Sequence, residues 1–358
     1  MTTVLVILAL SFLIFIHELG HFSVAKAFGL RVLEFGIGFP PRLFGKRRKG
    51  TVYSVNALPF GGFVHILGED GEEKETDEEH REEEKNPGSS FVNQPVGKKI
   101  AVLAAGVFMN FLFGFLVFCG VAFVGVPEHL VVSGVQEGSP AEIAGLEVGD
   151  IVLEARFGET VLKDPVDAGA FIAGAGSSRG KEVAITLRRG NETRETSVLA
   201  RENPAEGQGS LGVYISEVGA APSGFFDSIG VGAAKTWGVS KLVVAGFFDM
   251  AWKFFTSPGT ATENIAGPVG IVIVAKETSA LGFVYFLDLL ALISVNLAVL
   301  NLLPFPALDG GRIVMALIER VKGSPVSRKL QIAVNLTGLF LLLVLMVLVT
   351  IGDVRRIF

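Results

Sequence analysis

The chain has 358 residues, of which 50% are hydrophobic and 19% charged, with a formal net charge of −5. Soluble domains carry about 25% charged residues, and the mean hydropathy here is high, at +0.53. These values argue against a disordered chain, an ordinary soluble enzyme and a basic nucleic-acid-binding protein. They indicate a membrane protein with a soluble portion. The single cysteine, Cys119, excludes an internal disulfide.

Four apolar runs are long enough to cross a bilayer, which takes about 20 residues as a helix. In chain order they begin at Val4, Ile100, Leu289 and Leu330. A signal peptide is the alternative for the first run. No basic residue precedes that run and no small-residue cleavage pattern follows it, so we favour a membrane span.

Polar residues interrupt the first run, where His17, Glu18 and His21 form an HExxH motif. Histidines four apart share one helix face, so both imidazoles can bind one zinc ion. Glu18 is then able to take a proton from water. Charged groups at membrane depth are costly and indicate function. The motif therefore predicts a zinc site in an apolar span.

A catalytic zinc ion usually has a third protein ligand. The remaining histidines are His65, His80 and His129, and none stands where a longer HExxHxxGxxH motif requires it. Asp309 follows two prolines, which end a helix, and it can turn back toward the bilayer. We favour Asp309 over Asp288, with His65 as a further alternative.

The regions between the apolar runs differ in character. Residues 31–68 alternate short β-prone pieces with Gly and Pro, which predicts hairpins. Residues 69–95 begin with a run of acidic side chains, which predicts a solvated cytoplasmic linker. Residues 225–255 mix Phe, Trp and Val with Lys. They predict an amphipathic helix on the membrane surface or, equally, one packed against an outer domain.

A soluble domain is predicted between the second and third runs, where short strand-like pieces recur. Ser139 and Pro140 begin a short helix with Glu142 in its first turn, and Gly145 ends it. The pattern SPA…AGL…GD resembles the PDZ domain, which binds extended peptides by adding a strand to a sheet edge. The chain has room for about one such domain, at 127–205.

Two distant motifs carry a wider resemblance: HELGH in the first run and NLLPFPALDGG at 301–311. Together with the PDZ-like region, they make the chain resemble the site-2 protease family of intramembrane zinc metalloproteases, and in it the bacterial regulator-of-sigma-E protease group. The resemblance covers nearly the whole chain. It implies Zn²⁺ bound by His17, His21 and Asp309. It also implies that Glu18 is the catalytic base.

The same resemblance implies substrate-binding roles for Asn110, Asn296 and Asn301, with interhelical hydrogen bonds as the alternative role. It likens the hairpin region to a membrane-reentrant β element that engages substrate as an added strand. The implied substrates are single-span membrane proteins of the anti-sigma-factor type, and remnant signal peptides. The implied partners are these proteins and the lipid bilayer, without nucleic acid. Some members carry two PDZ domains, so paired gating is not assumed.

Lys and Arg are concentrated at 26–99 and 312–329, which the positive-inside rule assigns to the cytoplasm. Both termini and the PDZ-like domain are then extracytoplasmic, in a bacterial inner membrane. Two basic residues at the C-terminus disagree mildly with this orientation.

The predicted fold is a polytopic α-helical membrane protein with four transmembrane helices, a membrane-associated β-hairpin region and one inserted PDZ domain of α+β class. The predicted segments are helix 1 at 1–30, the hairpin region at 31–68, the linker at 69–95, helix 2 at 96–126, the PDZ domain at 127–205, an amphipathic membrane-surface region at 206–280, helix 3 with the NxxPxPxLDG motif at 281–311, a cytoplasmic loop at 312–329 and helix 4 at 330–353.

Two other functions compete with proteolysis: a membrane zinc transporter that uses the same ligands, and a non-catalytic PDZ scaffold. A transporter has no use for a peptide-binding domain. A scaffold does not explain Glu18 between the two histidines. A zinc-dependent cleavage assay separates all three.

Overall fold

The computed structural model describes residues 2–69, 86–190, 192–205, 208–257 and 267–357. His80 and most of the predicted acidic linker lie outside these ranges. The chain divides into two compact units. The membrane unit, as we call it here, comprises Met1–Cys119, Gly230–Lys276 and Asp288–Phe358, and the sheet unit comprises Gly120–Ile229 and Glu277–Leu287.

The helices and strands follow one another along the chain with few long connections. In order they are α1 (Thr2–Ala27), β1 (Val32–Arg48), β2 (Thr51–Ile66), a 3₁₀ turn (Pro87–Ser89), α2 (Val96–Val124), β3 (Val126–Val135), α3 (Pro140–Ile143), β4 (Ile151–Phe157), β5 (Thr160–Lys163), α4 (Ala168–Ser177), β6 (Glu182–Arg189), β7 (Glu192–Leu199), β8 (Val213–Ala220), α5 (Phe225–Thr256), α6 (Pro268–Leu281), α7 (Phe283–Leu302), α8 (Asp309–Lys322) and α9 (Arg328–Ile357).

Among the residues that the structure describes, four helices are long and apolar enough to cross a membrane: α1, α2, α7 and α9. Their apolar stretches are Val4–Ala27, Val96–Val124, Phe283–Leu302 and Lys329–Arg355. The prediction of four such helices is therefore confirmed. Each is close to or above the length of about 20 residues that a bilayer requires.

The region after α1 is one long, bent hairpin of β1 and β2, where several short hairpins were predicted. Residues 34–37 of β1 pair with 62–65 of β2 on one side and with 52–55 on the other. The distal part of β1, 44–48, pairs with 51–55. The four segments therefore lie in the order 44–48, 51–55, 34–37 and 62–65, with the first and last at the edges.

Helix α5, predicted to be amphipathic, packs one face against other helices of the membrane unit. Its Val239, Val243 and Val244 contact a buried cluster of Phe118 on α2 with Ala291, Val295 and Val299 on α7. A Cβ at Gly232 would lie 2.4 Å from Sγ of Cys119, so α5 and α2 are in close contact there. Bulky side chains such as Trp237 and Trp252 are exposed on the other side.

The sheet unit contains a six-stranded sheet with the order β7-β6-β4-β3-β8, and β5 pairs with β4. Its core includes Leu130, Val152 and Ile185. The predicted capped helix is confirmed: the Ser139 side chain accepts a hydrogen bond from the Glu142 amide at 3.2 Å, and Glu142 accepts one from the Gly138 amide. These reciprocal bonds satisfy amides that the start of a helix leaves free.

Two predicted segment boundaries are wrong. The sheet extends beyond residue 205, because β8 pairs along β3 from Val126↔Ala220 to Val135↔Val213. The segment 312–329, predicted to be a loop, is largely helical. Helix α8 begins at Asp309 and buries Ala316 and Glu319 on one face, which is why it is stable at a position without a long apolar run.

The sheet unit is held together by a buried ion pair between Asp150 and Arg189. The Asp150 carboxylate is fully buried, and the guanidinium donates to both of its oxygens at 2.7 Å. Hydrogen bonding to Asp150 raises the pKa of Arg189 above its usual value. Removing one partner leaves a buried charge uncompensated, which costs about 3–5 kcal/mol.

We expect Arg189→Met to destabilise the sheet unit by about 3 kcal/mol, because Asp150 loses its counter-charge. Hydrogen exchange of residues 126–220 in the full chain measures this change. Arg194→Met removes an exposed pair with Glu192 and is the matched control, with an expected loss of about 0–1 kcal/mol. Equal protection in both variants would contradict the prediction.

Candidate metal centre

His17 and His21 lie one turn apart on α1, and both side chains are buried. Their Nε2 atoms are 3.1 Å apart. The helix that faces them, α2, approaches at two glycines. A Cβ at Gly20 would lie 2.3 Å from the Ala105 carbonyl oxygen, and a Cβ at Gly106 would lie 2.3 Å from Nε2 of His21. The two glycines therefore allow the backbone contact that encloses the imidazoles.

Asp309 reaches the same point because the chain reverses sharply after α7. The helix ends at Leu302, ahead of the two prolines, and α8 begins at Asp309. Ala307 in the intervening turn has a left-handed backbone, with φ of 72°. A Cβ at Gly310 would lie 2.1 Å from the Leu303 carbonyl oxygen, so only glycine fits this reversal.

Three electron-rich atoms converge at this point. Oδ2 of Asp309 lies 3.0 Å from Nε2 of His17 and 3.4 Å from Nε2 of His21. Ligand atoms of a tetrahedral zinc ion, with bonds of about 2.0–2.2 Å, lie about 3.3–3.5 Å apart. Within the described ranges, no other three His, Cys, Asp or Glu side chains come together in this way.

The hydrogen bonds around the centre are consistent with a metal ion. Oδ2 of Asp309 is buried and has no hydrogen-bond partner of suitable geometry among the described residues. Nδ1 of His21 lies 2.8 Å from the Val102 carbonyl oxygen, to which it donates. That bond fixes the tautomer in which Nε2 keeps its lone pair for a metal. The three side chains therefore fit a zinc ion.

Glu18 lies beside the histidines and lines a cavity of about 1000 Å³. Its Oε2 accepts a hydrogen bond from the Val64 amide at 3.1 Å. Val64 belongs to the edge segment 62–65 of the hairpin, whose residues also line the cavity. One cavity is therefore lined by the Glu18 carboxylate, the three residues with converging atoms and the edge of the hairpin sheet.

The three asparagines that were predicted to bind substrate do not all lie at the cavity. Asn110 and Asn301 line the cavity, whereas Asn296 is half-buried on α7 and does not line it. Oδ1 of Asn110 is buried and has no hydrogen-bond partner within the described residues. The structure therefore brings Asn110 and Asn301, but not Asn296, to the cavity that Glu18 lines.

The alternative third ligands lie elsewhere or at the margin. Asp288 pairs with Lys235, at 2.5 Å between Oδ1 and Nζ, and does not belong to the converging group. His129 pairs with Asp164 in the sheet unit. His65 lines the cavity but does not belong to the converging group.

Sequence reasoning missed two contributors to the cavity. Arg312 lies one turn after Asp309 on α8, and its Nη1 is 2.8 Å from Oε1 of Glu69. Both side chains line the cavity. Arg312 follows Asp309 by three residues, which places both on one helix face, so the sequence could have identified it. The Val64 amide that holds Glu18 has no side-chain signature in the sequence.

Comparisons with known proteins agree with this geometry. The model of peptidase family M50 matches residues 5–345. A Clostridium perfringens protein named "Putative zinc metalloprotease" is 36% identical over 99% of this chain and 98% of its own length. A Fusobacterium nucleatum protein of the same designation is 33% identical over the full length of both chains. The "Regulator of sigma-W protease RasP" of Bacillus subtilis is 27% identical over 100% of this chain and 99% of its own.

We expect Gly106→Ala to lower the zinc content of the purified protein severalfold, because the added methyl group would occupy the space of His21 Nε2. Elemental analysis measures the zinc-to-protein ratio. Gly120→Ala on the same helix is the matched control, since nothing lies within 4 Å of its Cβ position. An unchanged ratio in Gly106→Ala would contradict the assigned packing.

Proposed function

Because the chain belongs to peptidase family M50, the site-2 protease family of zinc metalloendopeptidases, we propose that it hydrolyses peptide bonds within the membrane. The proposal rests on one observation: His17 and His21, within the apolar helix α1, converge with Asp309, which follows the apolar helix α7. Charged groups in such a place are costly unless a metal ion compensates them.

We assign His17, His21 and Asp309 as the zinc ligands, and Glu18 as the catalytic base. Bound zinc would supply Lewis-acid activation of water and of the peptide carbonyl. Glu18 takes the proton from water and returns it to the leaving amine nitrogen. The Val64 amide orients the Glu18 carboxylate for this transfer.

The substrate must be extended before cleavage, because a helix hides its carbonyl groups in hydrogen bonds. The edge segment 62–65 lines the cavity and offers a strand for the substrate to pair with. Asn110 and Asn301 then hydrogen-bond the unwound backbone. Arg312 and Glu69 also line the cavity, and both begin segments that the Lys and Arg distribution assigns to the cytoplasm, so we infer that water enters from that side.

We propose single-span membrane proteins of the anti-sigma-factor type as substrates, with remnant signal peptides as a second class. The Bacillus subtilis relative, named a regulator of sigma-W protease, supports the first class by likeness. The Lys and Arg distribution supports a bacterial inner-membrane location, with both termini and the sheet unit extracytoplasmic.

We further assign the sheet unit as a single PDZ domain that binds a peptide or limits substrate size. Strand β8 lies at the edge of its sheet. The first turn of α4 is tied to β8, because the Ala168 amide donates to Glu217 at 2.7 Å. An edge strand beside a helix is the arrangement to which a peptide adds as a further strand.

We expect Glu18→Gln to abolish cleavage of a single-span substrate while the zinc content stays unchanged, because the amide cannot accept the proton from water. Cleavage is followed by gel electrophoresis in a reconstituted membrane, with zinc measured on the same sample. Glu277→Gln, at an exposed carboxylate on α6, is the control and retains activity. Retained cleavage in Glu18→Gln would refute the mechanism.

We expect Asp309→Asn to reduce the zinc-to-protein ratio by at least tenfold, because an anionic ligand is lost. Asp288→Asn, which breaks only the pair with Lys235, is expected to leave the ratio unchanged. Loss of zinc in Asp288→Asn alone would identify Asp288 as the ligand. An unchanged zinc content in both variants would instead point to His65.

A further inference from the structure

The far end of the β1–β2 hairpin has a polarity gradient along one face. Phe44 pairs with Val55, and Lys46 pairs with Tyr53. Residues two apart in a strand share a face, and directly paired residues share the same face. One face of this end of the hairpin therefore carries, in order along the strands, the apolar pair Phe44 and Val55, then Tyr53 with Lys46, and finally Arg48.

The apolar part of this face is open. The exposed fractions are 67% for Phe44 and 46% for Val55. Segment 44–48 is a sheet edge without a partner strand within the described residues. An exposed apolar edge is a liability in water, and proteins normally cover or charge it.

The charged part of the face forms a concave site. Lys46, Arg48, Lys49 and Tyr53 line a cleft of about 670 Å³. None of the three cations has an acidic partner among the residues that the structure describes. Three cations and a phenolic hydroxyl group around one cleft are suited to a phosphate group.

The spacing of the gradient matches a membrane interface. At about 3.3 Å per residue, Arg48 lies about 13 Å along the strand from Phe44. Apolar side chains of interfacial elements enter about 5–10 Å below the headgroups, Tyr is enriched at the boundary, and Lys and Arg lie among the headgroups. Phe44, Tyr53 and Arg48 follow the same order.

We propose that this cleft binds the phosphate of an anionic phospholipid, while Phe44 and Val55 enter the acyl region. The proposal rests on the membrane location of the proposed function. It adds a lipid site at the end of the hairpin remote from the metal centre. Because the opposite edge of the same sheet holds Glu18 through Val64, a lipid bound here anchors the element that borders the active site.

A binding titration tests the site on the full chain in a neutral detergent, with Glu18→Gln as the background so that the readout does not depend on cleavage. The probe is a fluorescent short-chain phosphatidylglycerol. We expect the triple variant K46Q/R48Q/K49Q to bind it about 100-fold more weakly, since each cation near an anionic surface contributes roughly fivefold.

The matched control, K163Q/K181Q/R194Q, removes three exposed cations from the sheet unit and is expected to keep the original affinity. Equal weakening in both triple variants would overturn the proposal, as would equal affinity for phosphatidylcholine. Inorganic phosphate is tested as a competitor of the lipid. Competition by phosphate at the same concentration as the lipid would show a phosphate site and overturn the lipid assignment.

A second measurement does not depend on the triple variant folding. Phe44→Cys in a Cys119→Ser background carries a fluorescent label, and the labelled chain is reconstituted in vesicles that contain nitroxide-labelled lipids. We expect strong quenching at position 44. The same label at Val161→Cys, an exposed position of the sheet unit, is expected to respond to aqueous iodide instead. Iodide quenching at both positions would overturn the proposal, and normal cleavage by the same protein would leave the proposed function standing.

Discussion

Three electron-rich atoms within 3.4 Å of one another are the constraint on which the membrane unit depends. Without a cation, the lone pairs of two imidazoles and a carboxylate repel one another in a buried place where water screens little. A zinc ion bound by the three atoms would compensate this repulsion. The surrounding structure brings the atoms together: α1 presents two of them on one face, and the reversal after α7 brings in the third from 288 residues away in sequence.

Most of this centre could be predicted from the sequence, because side chains with recognisable chemistry form it. The HExxH spacing places both histidines on one helix face, and the prolines before Asp309 predict the break that returns it. The four apolar helices follow from composition alone. The capped helix at Ser139 was also predictable, because every contact that defines it lies within seven residues.

Other features depend on contacts between distant segments, and no local pattern specifies them. Strand β8 joins the sheet because it pairs with β3, about 80 residues earlier in the chain. The hairpin doubles back, so that segment 34–37 pairs with two other segments. The alternation of apolar and polar residues within either strand does not indicate this pairing. The mixture of Phe, Trp and Val with Lys in α5 predicted a helix on the membrane surface or one against the outer domain. Its packing is decided instead by small residues such as Gly232 that face α2.

The glycine contacts have a consequence for how a polypeptide reaches the cavity. Gly20 brings α1 against the α2 backbone, and a Cβ at Gly114 would lie 2.9 Å from the Ala291 carbonyl oxygen, so α2 is equally close to α7. Three helices in backbone contact cannot separate without losing the packing that forms the metal centre. A polypeptide that reaches the cavity must therefore do so without separating these three helices, because the same packing positions the histidines.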